Sequence, residues 1–131
     1  MEIKKIETPI APCPNGYYSQ GVKVDRYIFT SGQLPIKPNS GEIVKGDIKK
    51  QFIQIIHNIK AILEEAGSSL KNVIKTTIFI RDISQWELIN DVYTDYFEGS
   101  TPPARSIVAG IDIHYGLDIE MEVIACTKKD C

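Results

Sequence analysis

The stretch Val73-Ile74-Lys75-Thr76-Thr77-Ile78-Phe79-Ile80 decides the fold. β-Branched and aromatic residues dominate it, so it predicts a strand. Apolar side chains stand on both alternating faces: Ile74, Ile78 and Ile80 on one, Val73 and Phe79 on the other. A strand of that kind is covered on both sides. Amphipathic helices flank it. Upstream, Asp47 to Ala66 carries Ile48, Phe52, Ile55, Ile59, Ile62 and Ala66 at alternating spacings of four and three, one stripe at helical period. Asp47 stands as an N-cap or first-turn anion and Gly67 as the stop. Downstream, a second helix starts at Ser84, where Ser84-Gln85-Trp86-Glu87 has the pattern of a capping box. Its apolar face is Ile89, Val92, Tyr93, Tyr96 and Phe97, and Pro102-Pro103 ends any continuation.

Further out, Glu2 to Glu7 reads as a short strand or arm. After a Pro-rich loop from Thr8 to Gly16, Tyr18 to Val24 and Tyr27 to Ser31 read as strands joined by Asp25-Arg26. A loop runs from Gly32 to Gly46, and Ala104 to Ala109 and Asp118 to Thr127 are the last two strands. The order predicts a single α+β domain over residues 1–131, with two helices on one face of one sheet. No third layer is left in the sequence for the other face. Another copy of the chain is the simplest cover, which predicts a homo-oligomer.

Composition narrows the function. The 131 residues hold 15 Lys+Arg and 17 Asp+Glu, a net charge of −2, with 43% hydrophobic and 24% charged residues. Collagen, disorder and a disulfide-dense miniprotein are excluded. A nearly neutral chain offers no broad phosphate-neutralising field, which speaks against nucleic acid as a partner. The most apolar long stretch, Phe52 to Leu63, is broken by Gln54, His57, Asn58 and Lys60, well short of the roughly 20 apolar residues of a membrane span. The first residues lack an apolar signal core. The cysteines are Cys13, Cys126 and the terminal Cys131, an odd number with no CxxC pair, so a cytoplasmic, reduced setting is expected.

The usual catalytic signatures are missing. The two histidines, His57 and His114, form no HExxH pattern, and there is no Walker A loop, Rossmann fingerprint or GxSxG elbow. Metal catalysis and Cys or Ser triads are therefore disfavoured. What remains is Arg105, alone in an apolar strand, and Glu120 with Glu122 on one face of the last strand. An arginine there needs an anion: a bound carboxylate, or a structural ion pair with Glu120 or Glu122. Paired carboxylates do acid/base work, or one is simply solvated. Thr30-Ser31-Gly32-Gln33 offers a hydroxyl and backbone donors, or an ordinary strand-ending turn.

These pieces resemble the RidA/YjgF reactive-intermediate deaminases. The blocks are Gly16-Tyr17-Tyr18-Ser19-Gln20-Gly21, Phe29-Thr30-Ser31-Gly32-Gln33-Leu34-Pro35, Ala66-Gly67-Ser68-Ser69-Leu70, Val73-Ile74-Lys75-Thr76-Thr77, Asn90-Asp91-Val92-Tyr93, Pro103-Ala104-Arg105-Ser106 and Ile119-Glu120-Met121-Glu122, spread over essentially the whole chain. The resemblance implies a chorismate-mutase-like fold and a homotrimer whose sheets pack into a central barrel. It implies hydrolysis of 2-imino acids or their enamine tautomers (2-iminobutanoate, 2-iminopropanoate) to 2-keto acids and ammonia, in clefts between subunits and without metal or cofactor. By motif, Arg105 clamps the substrate carboxylate and Glu120 activates water, while Tyr18, Ser31, Gly32 and Asn90 line the pocket. Three features depart from the family: Ile107 where it usually has Cys, Tyr17 where it usually has Pro, and the stretch Gly110 to Gly116. Ile107 changes pocket shape and polarity. Two other functions compete: a regulator that binds a small carboxylic acid without turnover, and a ribonuclease or translation inhibitor, against which the net charge and the lack of a catalytic His pair both speak.

Overall fold

The computed structural model describes residues 1–127. The elements run β1 (Ile3–Ile6), β2 (Gly21–Val24), β3 (Tyr27–Thr30), α1 (Ile48–Glu65), β4 (Val73–Ile80), α2 (Trp86–Phe97), β5 (Ala104–Ala109) and β6 (Ile119–Cys126). Cys131 lies outside the described residues. Helix α1 keeps its expected ends. The Lys49 N–H donates to Asp47 Oδ1 at 2.9 Å. At the other end Gly67 turns at φ 82°, while the Gly67 and Ser68 N–H groups reach back to the Glu64 and Leu63 carbonyls. That is a Schellman stop, which favours glycine because the turn residue sits in left-handed backbone.

The strands form one mixed sheet in the order β1-β2-β3-β6-β4-β5, with β4 parallel to β5 and the other pairs antiparallel. Helices α1 and α2 pack together on one face. Ile48, Phe52, Ile55, Ile59 and Ile62 of α1 and Ile89, Val92, Tyr93 and Phe97 of α2 close over Ile28, Ile78, Ile80, Ile119, Met121, Val123 and Ala125. No described helix covers the other face. Tyr27 and Phe29 are 43% and 41% exposed there, among half-buried Phe79 and the carboxylates of Glu120 and Glu122.

Three local expectations are corrected. The parity of β4 breaks at its start, where the pairing slips between Val73 and Lys75. This bulge turns Val73 inward, at 4% exposure, and Ile74 outward, at 43%. Helix α2 does not begin with a capping box at Ser84. A 3-10 turn, Ile83–Gln85, precedes it, and Asp82 Oδ1 accepts from the Ser84 N–H at 2.9 Å. The second strand is shorter than Tyr18 to Val24, because Ser19 and Gln20 bond to Ser31 outside the regular ladder.

Buried amides hold the connecting loops. Gln20 Nε2 donates to the carbonyls of Thr8, Ala11 and Pro12, and its Oε1 accepts from the Thr8 N–H at 2.8 Å. This one side chain supplies a proline-rich loop with the partners that its prolines cannot. Asn58 Nδ2 donates to the carbonyls of Leu34 and Ile36, tying the next loop to α1. Gln51 bonds both the side chain and the backbone N–H of Asp118, which fixes the entry to β6.

Candidate functional site

The residues singled out in the sequence fall into two groups. The first forms where β3 ends beside β6. Ser31 Oγ donates to the Ser19 carbonyl at 2.6 Å, and the Ser31 N–H donates to the Gln20 carbonyl at 2.9 Å. Two residues on, Gln33 and Met121 exchange both backbone hydrogen bonds, at 2.8 and 3.3 Å. Gly32 is pinned between these anchors, hard against Glu120. The Glu120 carboxylate occupies the space that a Cβ on Gly32 would take. Only glycine lets backbone and carboxylate approach this closely.

Glu120 is half-buried, and its pKa is raised. Burial is the main cause, the charge of Glu122 adds to it, and His114 opposes it. His114 stands edge-on to Tyr115, with ring centroids 4.7 Å apart. Tyr115 adopts left-handed backbone, φ 60° and ψ 19°. Its phenol oxygen accepts from Asn15 Nδ2 at 3.2 Å, while Asn15 Oδ1 accepts from the Tyr18 hydroxyl at 3.1 Å. A cavity of about 270 Å³ opens beside this set, lined in part by Asn15, Tyr18, Gly32 and Gln33.

The second group lies on α2 and the edge strand β5. The Arg105 guanidinium carbon is 4.7 Å from the Trp86 ring centroid and 5.0 Å from that of Tyr93. The Tyr93 hydroxyl shares a buried hydrogen bond of 3.0 Å with Thr76 Oγ1. Arg105 makes no ion pair among the described residues, so the structural pair with Glu120 or Glu122 is not formed within the chain. A cavity of about 370 Å³ runs along Asn90, Tyr93, Phe97, Pro103 and Arg105. Ile107, two residues further on, is half-buried and packs against the core.

The two groups do not meet within one chain. Arg105 pairs with Thr76 and Glu120 with Phe79, on opposite sides of β4. Thr76 and Phe79 are three residues apart, so their side chains point to opposite faces of the sheet. Arg105 therefore faces α2, and Glu120 faces the side without helices. A wider concavity of about 540 Å³, beside the outer face of α1, is lined by exposed His57, Lys60, Glu64 and Glu65, with His57 Nε2 3.3 Å from the Tyr96 hydroxyl. Among the described residues no group of three His, Cys, Asp or Glu side chains could hold a metal ion. No described helix is long and apolar enough to cross a membrane.

The sequence marks His114 and Tyr115 only as part of the departing Gly110 to Gly116 stretch, with no link to Glu120, and gives no sign of Asn15. It presents Trp86 as part of a cap and Tyr93 as core. Their spacing of seven, two helical turns, was a usable sign that both share one helix face.

The family model for Endoribonuclease L-PSP matches residues 8–127. A RutC family protein from Pyrococcus abyssi is 51% identical over 95% of this chain and 98% of its own. The 2-iminobutanoate/2-iminopropanoate deaminase of Mus musculus is 39% identical over 93% of this chain and 90% of its own. The crystal structure of YyfA, a conserved Rid family protein of unknown function from Yersinia pestis, matches with a TM-score of 0.93 at 42% identity, covering 96% of this chain and 100% of that one.

Proposed function

The chain belongs to the RidA/YjgF family, and from that premise we propose that it hydrolyses 2-imino acids such as 2-iminobutanoate and 2-iminopropanoate, or their enamine tautomers, to 2-keto acids and ammonia. The observation that carries this reading is the division of the chain into two half-sites: a carboxylate held against a glycine backbone, and an arginine flanked by aromatic rings with no ion-pair partner among the described residues. In a homotrimer, with the helix-free sheet faces packed into a barrel, the Arg105 half of one subunit completes the Glu120 half of the next. The protein acts in the cytoplasm on a small-molecule substrate.

The chemistry needs little beyond position and one proton carrier. The guanidinium of Arg105 binds the substrate carboxylate through two parallel N–H bonds. Glu120 takes a proton from water as the oxygen bonds to the imine carbon, and the C=N electron pair moves onto nitrogen. The proton then passes to the nitrogen of the carbinolamine. The C–N bond breaks, ammonia leaves, and loss of the hydroxyl proton gives the 2-keto acid. A carboxylate raised by burial is the stronger base for the first transfer. Tyr18 and Asn90 line the cleft, Ser31 and Gly32 set the position of Glu120, and Ile107 supplies an apolar wall.

The test is ammonia release from enzymatically generated 2-iminobutanoate, with semicarbazide competing for the imine. The expected result is faster ammonia release and less semicarbazone with the wild-type chain, both lost in Arg105→Ala and Glu120→Gln. Ile107 and the altered Gly110–Gly116 loop favour a second reading, a regulator that only binds small carboxylates. Arg105-dependent binding of 2-ketobutanoate without faster ammonia release would establish that reading instead.

A further inference from the structure

We propose that Trp86 is a positioning residue for Arg105, holding the guanidinium so that its edge is presented to a planar 2-keto or 2-imino carboxylate. The inference rests on the reading of Arg105 as a carboxylate anchor. Arg105 lies on the exposed edge strand β5, where a long side chain with no ion pair among the described residues would sample many rotamers. Two aromatic walls restrict it. Tyr93 is the fixed wall: it is 7% exposed, its hydroxyl is bonded to Thr76, and its ring lies 4.5 Å from that of Phe97 and 6.5 Å from that of Phe52. Trp86 is the second wall. It is the first residue of α2, half-buried and packed against the core, and its ring centroid is the nearer of the two, at 4.7 Å.

The chemistry of the walls matters as much as their place. A carboxylate partner would occupy the N–H donors and neutralise the cation. An aromatic face attracts the cation through its π-system. Stacking on a ring leaves the in-plane donors of the guanidinium fork available for bidentate capture of an anion. The arrangement thus orders the arginine without spending the groups that bind the ligand.

Trp86 is the only tryptophan in the chain, so its emission reports on the anchor directly. The experiment uses the full chain and 2-ketobutanoate as probe. Binding is followed by calorimetry and tryptophan fluorescence, beside imine turnover and thermal melts, in wild type, Trp86→Leu, Trp86→Phe and Arg105→Ala. In wild type, 2-ketobutanoate should perturb the emission, and Arg105→Ala should abolish that response. Trp86→Leu should weaken Kd and raise KM by about 3–10-fold, as expected for loss of one partly desolvated cation–π contact, with a smaller change in kcat. Trp86→Phe keeps a ring face and should recover most of the loss. An unchanged Kd in Trp86→Leu, with only the melting temperature lowered, overturns the proposal. So does a Trp86→Phe variant as weak as Trp86→Leu, or a wild-type chain that binds no 2-ketobutanoate. Arg105-dependent binding without imine turnover overturns the deaminase reading alone and leaves the Trp86 test intact.

Discussion

Replacing Gly32 with alanine is the most direct probe of the Glu120 half-site. The new Cβ would overlap the Glu120 carboxylate, with its Cδ at 3.0 Å and its Cγ at 3.4 Å. Gly32 is not in left-handed backbone, so the main chain accepts alanine without strain. What must give is the far end of a flexible side chain. The stability cost should therefore fall at the low end of the roughly 1–3 kcal/mol typical of overpacking, a drop of about 4 °C in Tm for a chain of this size. The carboxylate, however, must retreat by about 1 Å to restore ordinary contact distances, and a displacement of that size at a reacting group can cost about 100-fold in rate. Ammonia release should thus fall about 100-fold in kcat, with KM little changed and the protein folded. Truncating Glu120 removes the clash, so Gly32→Ala in a Glu120→Ala background should leave the melting temperature nearly where Glu120→Ala alone puts it. Full turnover in Gly32→Ala, or the same loss of Tm in both backgrounds, would refute the reasoning.

The acid limb of kcat/KM should lie above the ordinary carboxylate range, because burial and Glu122 raise Glu120; His114→Ala should move it higher and Glu122→Gln lower, as read from pH–rate profiles. A carboxyl group raised on folding binds its proton more tightly in the folded state, so its stabilising contribution is lost as pH rises through the folded pKa. Glu120→Gln should accordingly melt higher than wild type near neutral pH while losing turnover by about 10²–10⁴-fold. Arg105→Lys should lose most activity with little change in melting, because an ammonium reproduces neither the planar fork nor the stacking, and Arg105 has no ion pair within the described chain to lose; a large drop in Tm would instead mark a structural role. Sedimentation equilibrium should give three times the 14.7 kDa chain mass, and a stable monomer at micromolar concentration would sink the shared-site arrangement.

Much of the molecule was legible in the sequence by itself. Helix α1 with its Asp47 cap and Gly67 stop, the extent of β4 and that of β5 all follow from neighbours within a few residues, where periodicity and capping act. Arg105, Glu120 and the Ser31-Gly32 turn stand out by residue type and spacing, and the uncovered sheet face by the two-sided pattern of β4, whereas Tyr18 and Asn90 are picked out only by the family resemblance. Tertiary structure decided the rest. One bulge reversed which of Val73 and Ile74 is buried, because a single extra residue flips every side chain before it in a pattern of period two. Asp82 rather than Ser84 capped the turn before α2, since several polar residues near a helix start can compete for the same N–H groups. The pressing of Gly32 onto Glu120, the approach of His114 and the Asn15–Tyr18–Tyr115 chain join segments up to 100 residues apart. Above all, the register of β4 with β5 and with β6 sent Arg105 and Glu120 to opposite faces of one sheet. No local pattern carries that information, because register is set by the summed packing of whole strands against the helices and not by the residues that the strands bring forward.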